Sequence, residues 1–520
     1  MTTPTFTARH GFKSDPFSST NAETEDELKD YFVPPPYFAT VLGDPASPSS
    51  NIVFAPRGAG KTAQRRMIEN QSADQDRYLC VTYDSFDTGG TSVLSSPTLD
   101  GHLVEVCRLM TVGILERLTD ESEAEKLDKR QKEVVKAAGE LFLARLSALE
   151  YEKALKSVKS FGQKTSDFWH KYGGIVAVGI AALMKKAGLD PVQLPEDLRA
   201  STLSPDGSAR YFYTELLKIC RSLGWSSVYV LVDKVDETPS TNTDPASAFK
   251  LIRPLLVDLP TLEAAGAAFK FFLWDQTEEA FRTGGGRPDR VQVVTLDWTV
   301  IELELMLSRR LRSFSGGAVE SFNALMCSDG KVDSHRLLAY LANGSPRDMI
   351  RMAASIIAEQ TRHSSDTKCV TEVTLLRGIQ VFAQQRSQEL YPQHLADLKK
   401  VGKPSFTITE LSGDIFRVTT QAARSKVQKW QATGAVDKIA DLPNPSGRPT
   451  YLYGINDPRL AITVRGKDVR ASLHDDLHIC GSCSRIVVIS DPGLTCPHCG
   501  EGFDASQPTS LLDTCTLSNP

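Results

Sequence analysis

Asn51-Ile-Val-Phe-Ala-Pro-Arg-Gly-Ala-Gly-Lys-Thr62 places an apolar run, Ile52–Phe54, directly before a glycine-rich turn that ends in lysine and threonine, and Ala63–Glu69 continues as a helix-forming stretch. Strand, glycine loop and helix in this order are the setting of a phosphate-binding loop, the pattern GxxxxGK[ST], here with Ala55 for the first glycine. In such a loop Gly58 and Gly60, with Pro56, Arg57 and Ala59 around them, let backbone N–H groups close on phosphates. Lys61 neutralises the β and γ oxygens, and the Thr62 hydroxyl reaches Mg2+. ATP and Mg2+ are the expected ligands. A chance glycine-rich turn with an exposed lysine is the alternative, and it accounts for neither flank.

Val228-Tyr-Val-Leu-Val-Asp-Lys-Val-Asp-Glu237 supplies a second element, a buried strand that ends in acid. A strand terminus puts Asp233 at the carboxyl edge of a sheet, where a carboxylate holds the shell of Mg2+. Glu237 or Asp236 then polarises the attacking water. Further strand-length apolar runs occur at Tyr78–Tyr83, Phe269–Trp274 and Val291–Leu296. Five strands separated by helical patterns indicate an α/β parallel sheet over 51–297, preceded by an entry segment, 1–50. Leu103, Val106, Met110 and Ile114 recur at helical spacing, which predicts a helical insertion at about 99–200 on one edge of the sheet. Helical periodicity from Trp298 predicts an all-α lid over 298–400. Near Pro404 β-branched, aromatic and basic residues take over.

The whole chain has 520 residues, with 59 Lys and Arg against 64 Asp and Glu, a net charge of -5, and 41% hydrophobic residues. Those values exclude wholesale disorder and a generally basic chain. The longest apolar run, Gly173–Met184, is shorter than the roughly 18–20 residues that span a bilayer, and Met1–Phe12 lacks an apolar signal core. A cytoplasmic protein with no membrane partner is the expectation. Ten cysteines are too sparse for a disulfide scaffold, and Cys80, Cys107, Cys220, Cys327, Cys369 and Cys515 stand singly. The remaining four form Cys480-Gly-Ser-Cys483 and Cys496-Pro-His-Cys499. Two such turns bring four thiolates to one ion, which predicts a zinc ribbon within 476–520, a redox pair being the alternative. His478 and His498 are bystanders to a shell already filled. Ile486–Ile489 and Phe503 are almost the only apolar residues there, so the segment is expected to fold only around zinc.

Residues 401–475 form a further module. Across 401–470, 11 Lys and Arg face 6 Asp and Glu. Thr420–Ala432 has Ala423, Val427 and Trp430 on one helical face, with Arg424, Gln428 and Lys429 off it. Gly434, a strand, a turn with Pro443, Pro445, Gly447 and Arg448, and a second strand from Pro449 follow. Helix and β-ribbon in this order resemble a winged helix. Its use is either binding nucleic acid, DNA first, with the helix in a major groove, or docking a protein partner.

Together, APRGAGKT and VYVLVDKVDE resemble the additional-strand P-loop ATPases, and within them the AAA+ proteins, including origin-recognition ATPases, and the STAND signalling ATPases. The spacing D-x-x-D-E is similar to the STAND pattern D-G-hydrophobic-D-E, with Lys234 where glycine is usual. Asp15-Pro-Phe17 and the following TEDELKDYFVPPPYF resemble bacterial P-loop ATPases that accompany phage-defence genes. The resemblance implies hydrolysis of ATP and a homo-oligomer. It makes Asp275 or Gln276, after Phe269–Trp274, a γ-phosphate sensor, and Arg347 in Gly344-Ser-Pro-Arg-Asp348 a lid arginine that reaches nucleotide. One of Arg282, Arg287 and Arg290 would act on a neighbour's ATP. Origin-recognition ATPases carry a winged helix in the same place after the lid. Two functions follow: an ATPase working on or with nucleic acid, with a place in bacterial genome defence, or a nucleotide-switched signalling scaffold whose C-terminal modules bind proteins.

Overall fold

The computed structural model describes residues 6–517 except 26, 87–97, 144–145, 147–149, 151–152, 155, 159–204, 329–330, 365–367, 444–446, 448, 467, 489–494, 497 and 503–509. The later part of the expected insertion, Pro445 and Arg448 of the wing turn, and Ile489 and Phe503 of the ribbon lie outside the described residues. The chain divides into two compact units, 34–297 and 1–33 with 298–520.

In the unit 34–297, β1 (Asn51–Ala55), β2 (Tyr78–Tyr83), β3 (Ser227–Val232), β4 (Ala267–Trp274) and β5 (Gln292–Thr295) form a sheet of order β2-β3-β4-β1-β5, with every pair parallel. An added strand, β4, thus separates the phosphate-loop strand from the acid-bearing strand, the arrangement of an additional-strand P-loop fold. β1 to β3 are buried along their whole length, which is why they read as unbroken apolar runs rather than alternating ones. Helices α1 (Lys61–Gln75), α2 (Leu99–Arg117), α3 (Lys129–Phe142), α4 (Pro205–Ser222) and α5 (Pro245–Leu256) connect them.

The described part of the insertion lies against β2, the edge strand of the sheet, and is built into its core. Leu103, Val106 and Met110 of α2, Val134 and Phe142 of α3, and Phe212 and Leu216 of α4 share one core with Leu79 and Val81 of β2. A Cβ at Gly113 would lie 2.7 Å from Leu79 Cδ1, so any other residue there would push Leu79 aside where α2 meets β2. Beyond α3 the chain returns to β2, where Thr82 N–H donates to the Ser157 carbonyl at 2.7 Å and covers the sheet edge.

The unit 1–33 with 298–520 includes much of the segment expected to lead into β1. Its fastening is Arg310, on α6 (Val300–Ser315), which is 1% exposed. Arg310 donates to both Glu25 oxygens at 2.6 and 2.9 Å and to the carbonyls of Pro16 at 2.6 Å and Ser19 at 3.0 Å. Its guanidinium lies over the rings of Tyr31 and Phe314. A buried arginine needs such partners on every edge, and the N-terminal segment supplies them. Helices α7 (Ser334–Leu341), α8 (Pro346–His363) and α9 (Glu372–Leu390) follow α6. Cys327 and Cys369 form a disulfide where Cys327 N–H donates to the Val370 carbonyl, so two cysteines read as single are paired across 42 residues.

A winged helix follows: α10 (Leu395–Val401), β6 (Ser405–Thr407), a helical turn over Ile408–Ile415, α11 (Thr420–Ala432), β7 (Val436–Leu442) and β8 (Thr450–Ile455), with antiparallel strand order β6-β8-β7. Ala423, Val427 and Trp430 are the buried face of α11, and Trp430 meets Phe406 edge-on at 5.7 Å. After α12 (Pro458–Arg465) comes an antiparallel hairpin of β9 (Leu477–Ile479) and β10 (Ile486–Val488), then α13 (Leu511–Thr514). This segment is not short of apolar partners, because Ile439 and Leu452 of the wing pack with Cys480, Val487 and Cys496. The chain then returns to the start of α7, where Asp333 N–H donates to the Cys515 carbonyl at 2.6 Å.

Lys270 lies fully buried in β4, its ammonium donating to the Ser49 carbonyl at 2.7 Å and Asn51 Oδ1 at 2.6 Å. No carboxylate is among these partners, and burial brings its pKa down to about 7. The unfolded chain, with an ordinary lysine, binds one more proton above that pH, so stability rises with pH from about 7 towards the ordinary lysine value. Urea unfolding between pH 6.5 and 9.5 should show a contribution on the order of 1.4 kcal/mol per pH unit. Lys270→Met should remove that slope, and an equal slope in the variant would assign it elsewhere.

Candidate nucleotide site and metal centre

The phosphate loop leaves β1 at Ala55 and enters α1 at Lys61. Gly58 and Gly60 take φ of +86° and +97°, a region open to glycine, in the turn that leads into a 15-residue helix, and the N–H groups of such a helix start suit an anion. Ala55 is the last residue of β1, paired with Trp274 of β4, so the first position of the motif is ordinary strand and accepts a Cβ. Lys61 Nζ donates to the Ala55 carbonyl at 2.9 Å and the Pro56 carbonyl at 3.3 Å, across its own loop. Burial lowers the Lys61 pKa, and the carboxylates of Asp236, then Asp233 and Asp275, oppose that.

Asp233 stands at the end of β3, 1% exposed. Its Oδ2 accepts from Thr62 Oγ1 at 3.0 Å and Arg65 Nε at 3.0 Å, and its Oδ1 from the Lys234 N–H at 2.9 Å. Burial raises its pKa and Arg65 is the chief opposing charge. Arg65 also pairs with Glu69, which in turn accepts from Thr82 of β2. A hydroxyl and a carboxylate oxygen this close are the hard oxygen donors that Mg2+ takes, so the set fits that ion. Lys234 has φ +60° and ψ +23°, the left-handed region that glycine enters most freely. The lysine side chain is held by Asp84 at 2.8 Å.

The second acidic pair divides. Asp236 is 4% exposed, takes Arg57 Nε at 2.8 Å, and is the strongest carboxylate influence on Lys61. Glu237, on the same short turn, is exposed. Asp275 follows β4, and burial raises its pKa while Lys61 opposes. Gln276 is exposed beside it. The structure therefore brings Lys61, Thr62, Asp233, Asp236 and Asp275 together at the carboxyl edge of β1, β3 and β4. Arg282, Arg287 and Arg290 are exposed and pair with Glu278, Asp289 and Glu263, and no feature singles out one of them. Arg347 is exposed at the start of α8, in the other unit, with Ser345 capping the helix as its sequence predicts. Sequence reasoning missed Arg65 and Glu69. Their signal was present, an i, i+4 pair on the helix after the loop.

The four sulfurs of Cys480, Cys483, Cys496 and Cys499 lie within 4.8 Å of one another, with Cys480–Cys499 at 3.5 Å and Cys483–Cys496 at 3.8 Å. Tetrahedral zinc with four thiolates separates sulfurs by about 3.8 Å, so the group fits that ion. The two turns repeat each other. Ser484 N–H donates to the Cys480 carbonyl and Gly500 N–H to the Cys496 carbonyl, each at 2.8 Å, and both residues have positive φ. Burial raises the Cys480 thiol, but N–H groups of Cys483 and Ser482 outweigh it and bring the pKa to about 7. His478 Nε2 lies 3.1 Å from the Asp475 carbonyl, the His498 backbone N–H donates to Cys496 Sγ, and the group within ligand reach consists of the four cysteines.

No family model matches the chain, and no curated protein does. Among solved structures it is similar to the ORC1 protein of Aeropyrum pernix in complex with DNA, with 13% identity, 87% of this chain and 97% of that chain covered, and a TM-score of 0.37. The ORC2 protein of the same organism, in ADPNP–ADP complexes, gives 11%, 86% and 98%, with a TM-score of 0.38. Cdc6p from Pyrobaculum aerophilum gives 12%, 89% and 100%, with a TM-score of 0.32.

Metal analysis should find one zinc per chain, and Cys499→Ser should release it. Because Ile439 and Leu452 share a core with the cysteine turns, release should raise amide exchange in β7 and β8 tenfold or more. β1 to β4 should keep their protection. Unchanged exchange in β7 and β8 would show that the wing holds its shape without the metal.

Proposed function

We propose that the protein binds and hydrolyses ATP and acts with nucleic acid, DNA first, through its winged helix. The observation that carries the reading is the meeting of Lys61, Thr62, Asp233, Asp236 and Asp275 at one edge of the sheet. In this reading Lys61 exchanges its two loop carbonyls for phosphate oxygens, and the N–H groups of the loop complete the cradle. Thr62 and Asp233 hold Mg2+, which when bound supplies positive charge against the phosphate oxygens. Asp236 orients the attacking water, in preference to the exposed Glu237, because it is the acid that faces Lys61. Asp275 responds to the terminal phosphate.

Gln421, Arg424, Gln428 and Lys429 are exposed on the outer face of α11, opposite the buried Trp430. Such side chains meet base edges and phosphates when a helix enters a major groove. A scaffold reading has its own support. Lys403, Lys426 and Lys438 are engaged by Glu410, Asp397 and Asp441, which reduces the positive field of the winged helix and suits a protein partner. Among the described residues no helix is long and apolar enough to cross a membrane. Assembly of copies through the Arg282–Arg290 region, nucleotide coupling by Arg347, and a setting in bacterial genome defence rest on the family resemblance.

Lys61→Ala should abolish measurable ATP binding. Asp236→Asn should bind ATP within a few-fold of wild type and hydrolyse it about 100-fold or more slowly. Wild-type turnover in Asp236→Asn would return the water to Glu237. A DNA titration should give an affinity that falls steeply with salt, and Lys429→Ala should reduce the salt slope by about 1. Stimulation of hydrolysis by DNA supports the first reading; no DNA binding at low salt leaves the scaffold.

A further inference from the structure

Arg57 stands inside the phosphate loop, yet its guanidinium turns to the acidic turn after β3. Nε donates to Asp236 Oδ2 at 2.8 Å and Nη2 to the Asp236 carbonyl at 2.6 Å, while Cζ lies 4.3 Å from the centroid of the Trp274 ring. The two donors lie on one edge of a planar group, so together they fix its plane. One of them sets the rotamer of the carboxylate, the other the main chain of Val235–Glu237, and the indole is the floor beneath. The ends of β1, β3 and β4 therefore meet on one guanidinium. Exposed ion pairs of this kind contribute little, but the Asp236 side chain is only 5% exposed, and its position relative to Lys61 depends on what holds it.

We infer that Arg57 is a positioning residue for hydrolysis, which ties the phosphate loop to Asp236 so that the loop and the water-orienting carboxylate move as one. The inference rests on the ATPase reading above. Phosphates close the loop through its backbone N–H groups and through Lys61, none of which needs the Arg57 side chain. Its loss therefore leaves binding in place and frees the carboxylate to turn. A residue that met the phosphates directly would instead weaken binding. A residue that only stabilised the fold would lower melting temperature without separating kcat from KM.

The test is a double-mutant cycle in the full chain with steady-state kinetics, binding of a fluorescent ATP analogue, and thermal melting. Arg57→Ala should lower kcat about 10- to 100-fold, with KM and analogue affinity within about threefold of wild type. Arg57→Lys, which cannot make both bonds from one plane, should recover part of the loss. Asp236→Asn with Arg57→Ala should be no slower than Asp236→Asn alone, because the arginine acts through that carboxylate. Additive losses, or a loss confined to analogue affinity, would overturn the assignment of Arg57 and leave the ATPase reading standing. Wild-type protein that neither binds the analogue nor hydrolyses ATP would sink the ATPase reading itself, and the Arg57 inference with it.

Discussion

The carboxylate of Asp233 is buried at the end of β3 and can keep its charge there only with donors around it. Thr62 and Arg65 reach it from α1, and the Lys234 N–H comes from the turn that follows β3. Since β4 lies between β1 and β3, the helix leaving β1 must cross a strand to supply those donors. Helix, loop and sheet edge are thereby held to one geometry. Arg65 brings a second buried acid, Glu69, and through Thr82 reaches β2, so four elements are fixed by the needs of one charge. The strained backbone at Lys234, of roughly 1–2 kcal/mol for a non-glycine residue, is compatible with this because its N–H points at Asp233.

Buried charge organises the other unit in the same way. Arg310 gathers Glu25 and the carbonyls of Pro16 and Ser19 onto α6. Asp348, next to Arg347 at the start of α8, is fully buried and receives Arg386 of α9 and Arg459 of α12, and Arg459 is held in turn by Asp457. That network joins the helices after the sheet to the chain beyond the wing. The cysteine turns are not a separate bead either. Their apolar face is shared with β7 and β8, and the final segment returns to α7. A short segment built this way draws its core from a neighbour, which it cannot provide alone.

Much of the chemistry was legible because it is local. Gly58, Gly60, Lys61 and Thr62 lie within a few residues, and their backbone conformation follows from glycine's freedom at positive φ. The two C-x-x-C turns each form within six residues, and Ser345 caps α8 as its sequence position requires. Buried parallel strands announce themselves as unbroken apolar runs, and Trp430 with Val427 and Ala423 marks the inner face of α11. A phosphate loop, an acidic strand end, a winged helix and a four-sulfur site thus follow from spacing and residue type.

What spacing cannot convey is which distant groups share a location. The burial of Asp236 beside Arg57, the turn of Arg57 away from its own loop, and the contact of Arg65 with Asp233 depend on strand order, since they join residues about 170 to 180 positions apart. The pairing of Cys327 with Cys369, the fastening of residues 16–25 to α6, and the apolar partners of the cysteine turns are likewise set by packing. The sequence by itself determined the residue types and local backbone that can hold phosphate and metal. Only the tertiary structure decided which carboxylates stay buried with a cation beside them, because burial and electrostatic pairing are properties of the assembled core and not of any one segment.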